Sequence, residues 1–407
     1  MSTQPQEAPA KRLDDLYAKR AQAVAAQLTG PAPQSGATPL SLAFGLADPA
    51  LFPTQELSEA TAEAVAERPD AVLNYGPPSA ELIEQIATRL GRQGIAAEAN
   101  QLLLSYGSSQ ILALLPEVLV DPGDVVIIEG PSFLGAVRRF EQVGARLITI
   151  PTDAQGMDVD ALEDSLASLA REGIRPKFIY AIPTFHNPTG VTMPLERRKR
   201  LVALGAEYGV LIVEDDAYGD LRFVGETLPS LAALDTEGWV LRVGTYSKIL
   251  APGVRLGWAY GQPKLLQRLS MFKLEGANGP FLTHVIARYS ADGRLEAHIE
   301  ELRALYRYKC QVMLDTIARE FPSDVTTLTP EGGFFIWSKL PADLSANALV
   351  PLAAKRGVAF LPGTRCYTNG QGDDAIRLAF SYQNAENIVE GITRIGDAMR
   401  ELRATDH

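Results

Sequence analysis

The stretch Val240-Leu241-Arg242-Val243-Gly244-Thr245-Tyr246-Ser247-Lys248 decides the fold. Its first half, residues 240–243, is a short, mostly apolar run closed by glycine, the pattern of a buried strand. Its second half is polar and ends on a lysine, with Arg255 seven positions further on. A lysine delivered at a strand's carboxyl end stands where α/β sheets bind ligands, and there its amine can reach a carbonyl and form an imine. Taken alone, the segment reads equally well as a solvated lysine beside a turn.

Outward from this stretch, comparable apolar runs lie at 125–129, 147–150, 178–182, 210–214 and 256–260. Amphipathic stretches at 109–119, 134–143 and 195–208 separate some of them, so the middle of the chain predicts strand–helix repeats around a mostly parallel sheet. Upstream, a helical pattern begins near residue 56 and breaks at the turn-rich Asn74-Tyr75-Gly76-Pro77-Pro78, and a second helix follows over 79–91. Downstream of Gln262 come a long charged helix at 294–317, the strand-like Gly332-Gly333-Phe334-Phe335-Ile336-Trp337 and a terminal helix at 386–402, which read as a smaller α+β domain. The expected organisation is a flexible tail (1–15), an N-terminal arm associated with the small domain (16–55, with a helical patch at 13–28), a large domain (56–290) and a C-terminal small domain (291–407). No repeat of fixed period argues for a solenoid or propeller.

Composition narrows the function. A length of 407 residues suggests two to three domains, and 46% hydrophobic with 21% charged residues is an ordinary globular mix. Thirty-eight Lys and Arg against 49 Asp and Glu give a net charge of −11, the wrong sign for a general nucleic-acid binder. Two cysteines, Cys310 and Cys366, build neither a disulfide framework nor a zinc cluster and fit a reducing, cytoplasmic setting. The first 15 residues lack the pattern of a secretory signal. The longest apolar stretch, 111–120, contains Pro116 and Glu117 and falls far short of the ~20 residues a membrane span needs.

Three further segments sit at strand ends or at the start of a helix. Val213-Glu214-Asp215-Asp216-Ala217-Tyr218 ends a strand on carboxylates, one of which can pair with a cationic ring nitrogen; a capping or magnesium-binding aspartate is the plainer alternative. His186-Asn187-Pro188-Thr189-Gly190 is a tight turn that presents an Asn side chain. Gly107-Ser108-Ser109-Gln110 opens an apolar helix, where small residues and free amides make an anion site as readily as an ordinary N-cap. An anion cradle, an Asn, a carboxylate and a Lys followed by an Arg together match the needs of pyridoxal 5'-phosphate.

The segments HNPTG (186–190), EDDAYGDLRF (214–223), SKILAPGVRLGW (247–258), EGGFFIW (331–337) and IRLAFS (376–381), in that order, resemble the pyridoxal-phosphate-dependent aminotransferases of fold type I, class I/II, in the group of 2-aminoadipate, kynurenine and aromatic aminotransferases. The resemblance covers residues 41–402. It implies an α/β fold, with a large domain around a mostly parallel sheet flanked by helices and a smaller α+β domain. It implies three catalytic residues: Lys248, which bonds the cofactor and then moves the substrate proton; Asp215, which keeps the ring nitrogen protonated; and Tyr218, which with Asn187 bonds the 3′-oxygen. It assigns the phosphate to Ser108, Ser109, Thr245, Ser247 and Arg255, and ring stacking to Phe133. Arg377, Asn187 and Gly45 are the implied substrate contacts, Arg377 holding the α-carboxylate. Tyr75 is implied to reach the phosphate of a neighbouring subunit in a homodimer. The chain departs from the pattern where Phe133 replaces a Tyr, Ser109 a Gln and Ala80 a glycine, and where Ala43-Phe44-Gly45 replaces consecutive glycines, so that Phe44 lines the substrate entrance.

The expected activity is therefore transfer of an amino group between an L-amino acid and a 2-oxo acid by a ping-pong route, with 2-oxoglutarate and glutamate as the default pair. The alternatives are another pyridoxal-phosphate reaction (β-elimination, decarboxylation or racemisation) on the same scaffold, or a non-catalytic sensor. The roughly 40 residues before the body are too few for a helix-turn-helix domain, which weighs against a DNA-binding regulator. Neither nucleic acid nor membrane is an expected partner, and no metal is expected.

Overall fold

The computed structural model of the chain describes residues 40–273 and 278–405, with Leu16 and Ala18 besides. The tail 1–15, most of the arm before residue 40, including the patch at 13–28 except those two positions, and positions 274–277 lie outside the described residues.

After β1 (Leu40–Ser41), eight strands form the central sheet: β2 (Leu102–Ser105), β3 (Val125–Gly130), β4 (Arg146–Asp153), β5 (Gly156–Met157), β6 (Phe178–Ala181), β7 (Leu211–Asp216), β8 (Val240–Thr245) and β9 (Gly257–Tyr260). Their order is β2-β9-β8-β7-β6-β3-β4-β5. The middle of the sheet is parallel, from β4 through β3, β6 and β7 to β8. β9 runs antiparallel to both of its neighbours, and β5 is antiparallel to β4. The sequence reading placed the parallel strands but gave no separate strand at 102–105, a short edge element that directly precedes a helix.

All six residues of β3 and all six of β8 are buried, as expected of strands covered on both faces. On one face the helices Ser108–Leu119 and Leu134–Gln142 bring Ile111, Leu115, Val137 and Phe140 onto Val126, Ile128, Tyr180, Val213 and Val243. On the other, Val159–Arg171 and Leu195–Tyr208 bring Leu162, Leu166, Leu201 and Leu204 onto Ile127, Ile179 and Ile212. Burying such side chains contributes roughly 1.5–3 kcal/mol each, so the sheet is a rigid platform whose strand ends are fixed relative to one another.

A second sheet comprises β10 (Thr326–Thr327), β11 (Phe335–Lys339), β13 (Leu361–Pro362) and β14 (Ala375–Ala379), all antiparallel in the order β10-β11-β14-β13. Between them β12 (Val358–Ala359) pairs in parallel with β1. The helices Arg294–Glu320 and Ala385–Thr405 pack together beside this sheet. Among the described residues no helix is long and apolar enough to cross a membrane.

Candidate active site

Lys248 follows β8 directly. The chain turns where the Tyr246 amide donates to Leu256 O and the Leu250 amide to Tyr246 O. Lys248 Nζ donates to the Gly45 carbonyl at 2.9 Å and lies 5.7 Å from the Tyr218 ring centre and 5.5 Å from that of Phe334. Burial and the nearby Arg377 bring its pKa down to about 8, with Asp215 pulling the other way. The amine thus gives up its proton far more readily than an ordinary lysine.

Asp215 is the fifth residue of β7 and is buried. Its Oδ2 accepts from Tyr180 OH at 2.6 Å, a bond from the neighbouring strand β6, while the enclosed Oδ1 has no partner. Burial lifts its pKa to about 6, Tyr180 opposing and Asp216 adding to the rise. A buried carboxylate oxygen without a donor is costly unless something donates to it.

Arg377, in β14, is buried and bridges the two sheets. Its Nη1 donates to Asn187 Oδ1 at 2.7 Å and its Nη2 to the Ala43 carbonyl at 2.6 Å, while the guanidinium lies 4.2 Å over the Phe335 ring. Burial lowers its pKa. Tyr218 packs edge-on against Phe334 and Phe335, and burial raises its hydroxyl pKa. A Cβ on Gly45 would lie 2.3 Å from the Phe335 ring, so only glycine lets this segment lie flat on it. One strap, Leu42–Leu46, therefore touches Lys248 through the carbonyl of Gly45 and Arg377 through that of Ala43. It is tied at its ends by Leu42 N to Ala359 O, Ala379 N to Leu42 O and Ser381 Oγ to Leu46 O.

Gly107 (φ 74°) precedes the helix Ser108–Leu119, whose first turn carries no side-chain cap. A Cβ at Gly107 would sit 2.6 Å from Arg255 Nη2. Arg255 donates to Tyr106 O at 3.2 Å, so its guanidinium stands beside the open amides of Ser108 and Ser109. Thr245 Oγ1 lies 3.0 Å from Ser247 Oγ and accepts from Ser247 N. Amides at a helix start, hydroxyls and an arginine form the donor set a phosphate takes.

Two sequence-derived residues lie at the surface. Phe133 lies at the start of the helix Leu134–Gln142 with its ring over Gly135, partly exposed. Tyr75 is fully exposed, and its amide bonds Asn74 Oδ1. Two other contributors, Tyr180 and Ala43, escaped the sequence reading. Tyr180 looked like one more apolar strand residue, and Ala43 acts through its backbone. His186 is enclosed against Glu129 (3.2 Å) and Thr189 (2.8 Å), so it props the turn that carries Asn187. Among the described residues no group of His, Cys, Asp and Glu could hold a metal ion.

Comparison with known proteins gives concordant matches. The family model "Aminotransferase class I and II" matches residues 42–395. The 2-aminoadipate transaminase of Thermus thermophilus is 39% identical, over 90% of this chain and 91% of its own length. Among solved structures, the multiple substrate aminotransferase of Thermococcus profundus superposes with a TM-score of 0.90 at 31% identity, covering 96% of this chain and 99% of the other. The kynurenine aminotransferase of Pyrococcus horikoshii, solved with PMP, substrate and product, has a TM-score of 0.88 at 34% identity, covering 95% and 98%.

Proposed function

The chain belongs to the class I and II aminotransferases, enzymes that exchange an amino group between amino and oxo acids, and from that premise we propose how its residues do so. Pyridoxal phosphate is the cofactor, and the residues present fit it. Asp215 Oδ1 is a buried acceptor without a donor, and Gly107 leaves open, beside Arg255 and the helix start, the space a Cβ would fill. When bound, the cofactor supplies a ring that accepts the electron pair released from the substrate's Cα–H bond.

Lys248 Nζ would take the proton from the substrate Cα and pass it to the C4′ carbon of the bound cofactor, a task its pKa of about 8 suits. Arg377 receives the substrate α-carboxylate, releasing Asn187 Oδ1 and the Ala43 carbonyl, both oxygen acceptors that mimic what it will hold. Asp215 offers its free oxygen to the ring nitrogen, steadied by Tyr180. Ser108, Ser109, Thr245, Ser247 and Arg255 take the phosphate, Asn187 and Tyr218 the 3′-oxygen, and Phe133 a ring face. Gly45 borders the substrate. The convergence of Lys248 and Arg377 on one strap is the observation that carries this reading.

Glutamate and 2-oxoglutarate form one substrate pair. The working unit is a homodimer in the cytoplasm: Tyr75 is fully exposed and free to reach a partner, and Cys310 and Cys366 are buried, unpaired thiols. The large domain spans 56–290 and the small domain 291–407 with the arm, a division supported by the two separate sheets and by the pairing of β1 with β12.

The test is the absorption spectrum of the purified protein before and after single amino acids from a panel of glutamate, 2-aminoadipate, aromatic, branched-chain and small neutral ones. A shift to the pyridoxamine band with the matching 2-oxo acid in the mass spectrum is expected. A spectral change without oxo acid points to another reaction. Lys248→Ala is expected to stay folded and to lose transamination; full activity in that variant overturns the assignment.

A further inference from the structure

On the face of β7 and β8 turned away from Asp215, a cavity of about 250 Å³ opens between the helix Leu195–Tyr208, the segment carrying Ser230, and β8. Strand alternation sends Asp215 to one face and Asp216, Glu214 and Arg242 to the other, Glu214 and Arg242 being direct cross-strand partners. Arg198, Arg222 and Arg242 all line the cavity, with 1%, 8% and 4% of their surface exposed. Against them, and Arg92 at the rim, the wall presents one carboxylate, Asp216, already paired with Arg242.

Other acids nearby are committed. Glu331 meets Arg222 at 2.5 Å, and the carboxylate of Glu214 accepts from the Leu231 and Ala232 amides. Arg92 is paired with Glu296. Arg198 has no carboxylate partner among the described residues: it donates to the carbonyls of Met193, Pro183 and Pro229 and to Thr184 Oγ1. Arg242 Nε is enclosed and has no acceptor. Burial, reinforced by repulsion from Arg222 and Arg242, depresses the pKa of Arg198 even against Glu214 and Asp216. A buried cation that touches no carboxylate is destabilising.

Two hydroxyls complete the wall. Thr184 Oγ1 accepts from Arg198 at 2.8 Å and Ser230 Oγ from Arg242 at 3.3 Å, so the proton of each remains to be donated inward. We infer that this cavity is a second ligand site, which binds a small oxyanion, a phosphate or carboxylate group, through the guanidiniums of Arg242, Arg198 and Arg222 and the hydroxyls of Thr184 and Ser230. Planar guanidinium forks suit both oxyanions. The site is distinct from the one around Lys248 and does not depend on the reaction assigned there.

The experiment is calorimetric titration of the cofactor-saturated protein, its loading read from the absorption spectrum, in an Arg377→Ala background so that the substrate position does not take the anion. Inorganic phosphate and succinate are titrated separately, and whichever binds identifies the source. Binding with a Kd of about 1 mM or tighter is expected. It should weaken at least about tenfold in Arg242→Lys, which keeps a charge facing Asp216 but loses the fork. No heat from either anion up to about 50 mM overturns the proposal, as does binding that Arg242→Lys leaves unchanged. Should that variant not fold, wild-type crystals soaked in selenate decide: an anomalous selenium peak in the cavity between the guanidiniums of Arg242, Arg198 and Arg222 is expected, and its absence overturns the proposal.

Discussion

Asp215 is held in an environment that suits a bound cofactor better than the protein alone. A carboxyl whose folded pKa is about 6, above its ordinary 3.8, keeps its proton more tightly in the fold than in the unfolded chain. Stability of the cofactor-free protein should then fall as pH rises through that window and stay lower above it, by about 3 kcal/mol in order of magnitude. Cofactor-free Asp215→Asn is therefore expected to melt higher than wild type above about pH 6, with the difference fading by about pH 4, while transamination is lost. Thermal denaturation across that range checks it. Tyr180→Phe acts in the opposite sense on the same group. Without its donor the ionised carboxylate is less favoured, so the acid limb of the kcat/KM profile should move to higher pH and the rate drop about tenfold, the worth of one buried hydrogen bond. An unmoved limb would show that the phenol only fills space.

At the scale of elements, function hangs on how a strand hands over to a turn or a helix. Gly107→Ala asks a residue with a side chain to adopt φ 74° and pushes a methyl into Arg255. The strain costs about 1–3 kcal/mol, and displacement of the guanidinium should weaken cofactor uptake by the cofactor-free protein about tenfold or more, measured by fluorescence titration. Such junctions were legible in the sequence. Lys248, Asp215 and Asn187 each follow an apolar run and Ser108 opens one, and the break in hydrophobicity marks them. Tyr180 was not legible, because a phenol inside a run of Phe, Ile and Ala reads as core until the register of β6 against β7 pairs it with Val213, two residues before Asp215 on the same face. Nor could the contacts of the Gly45 carbonyl with Lys248 and of the Ala43 carbonyl with Arg377 be read, since a carbonyl has no letter of its own. The contact of Arg377 with Asn187 spans 190 positions and exists only because β14 folds back over the central sheet's strand ends. Nothing in the sequence distinguished the antiparallel direction of β9.

For the whole molecule, the decisive question is whether two chains share each site. If Tyr75 serves the neighbouring subunit, mixing Tyr75→Ala with Lys248→Ala chains should restore activity, since a hybrid dimer then has one site with both residues intact. Refolding the two variants together and assaying against each alone checks this; no gain on mixing would place Tyr75 in its own chain's site or outside any.

The strap Leu42–Leu46 grips Lys248 and Arg377 with main-chain oxygens, while Phe44 between them leaves 66% of its surface in solvent. The grip on both functional side chains is thereby written in the backbone, in an alphabet that side-chain exchange does not touch. Selection, natural or in the laboratory, can replace residue 44 while the contacts to Lys248 and Arg377 are inherited unchanged.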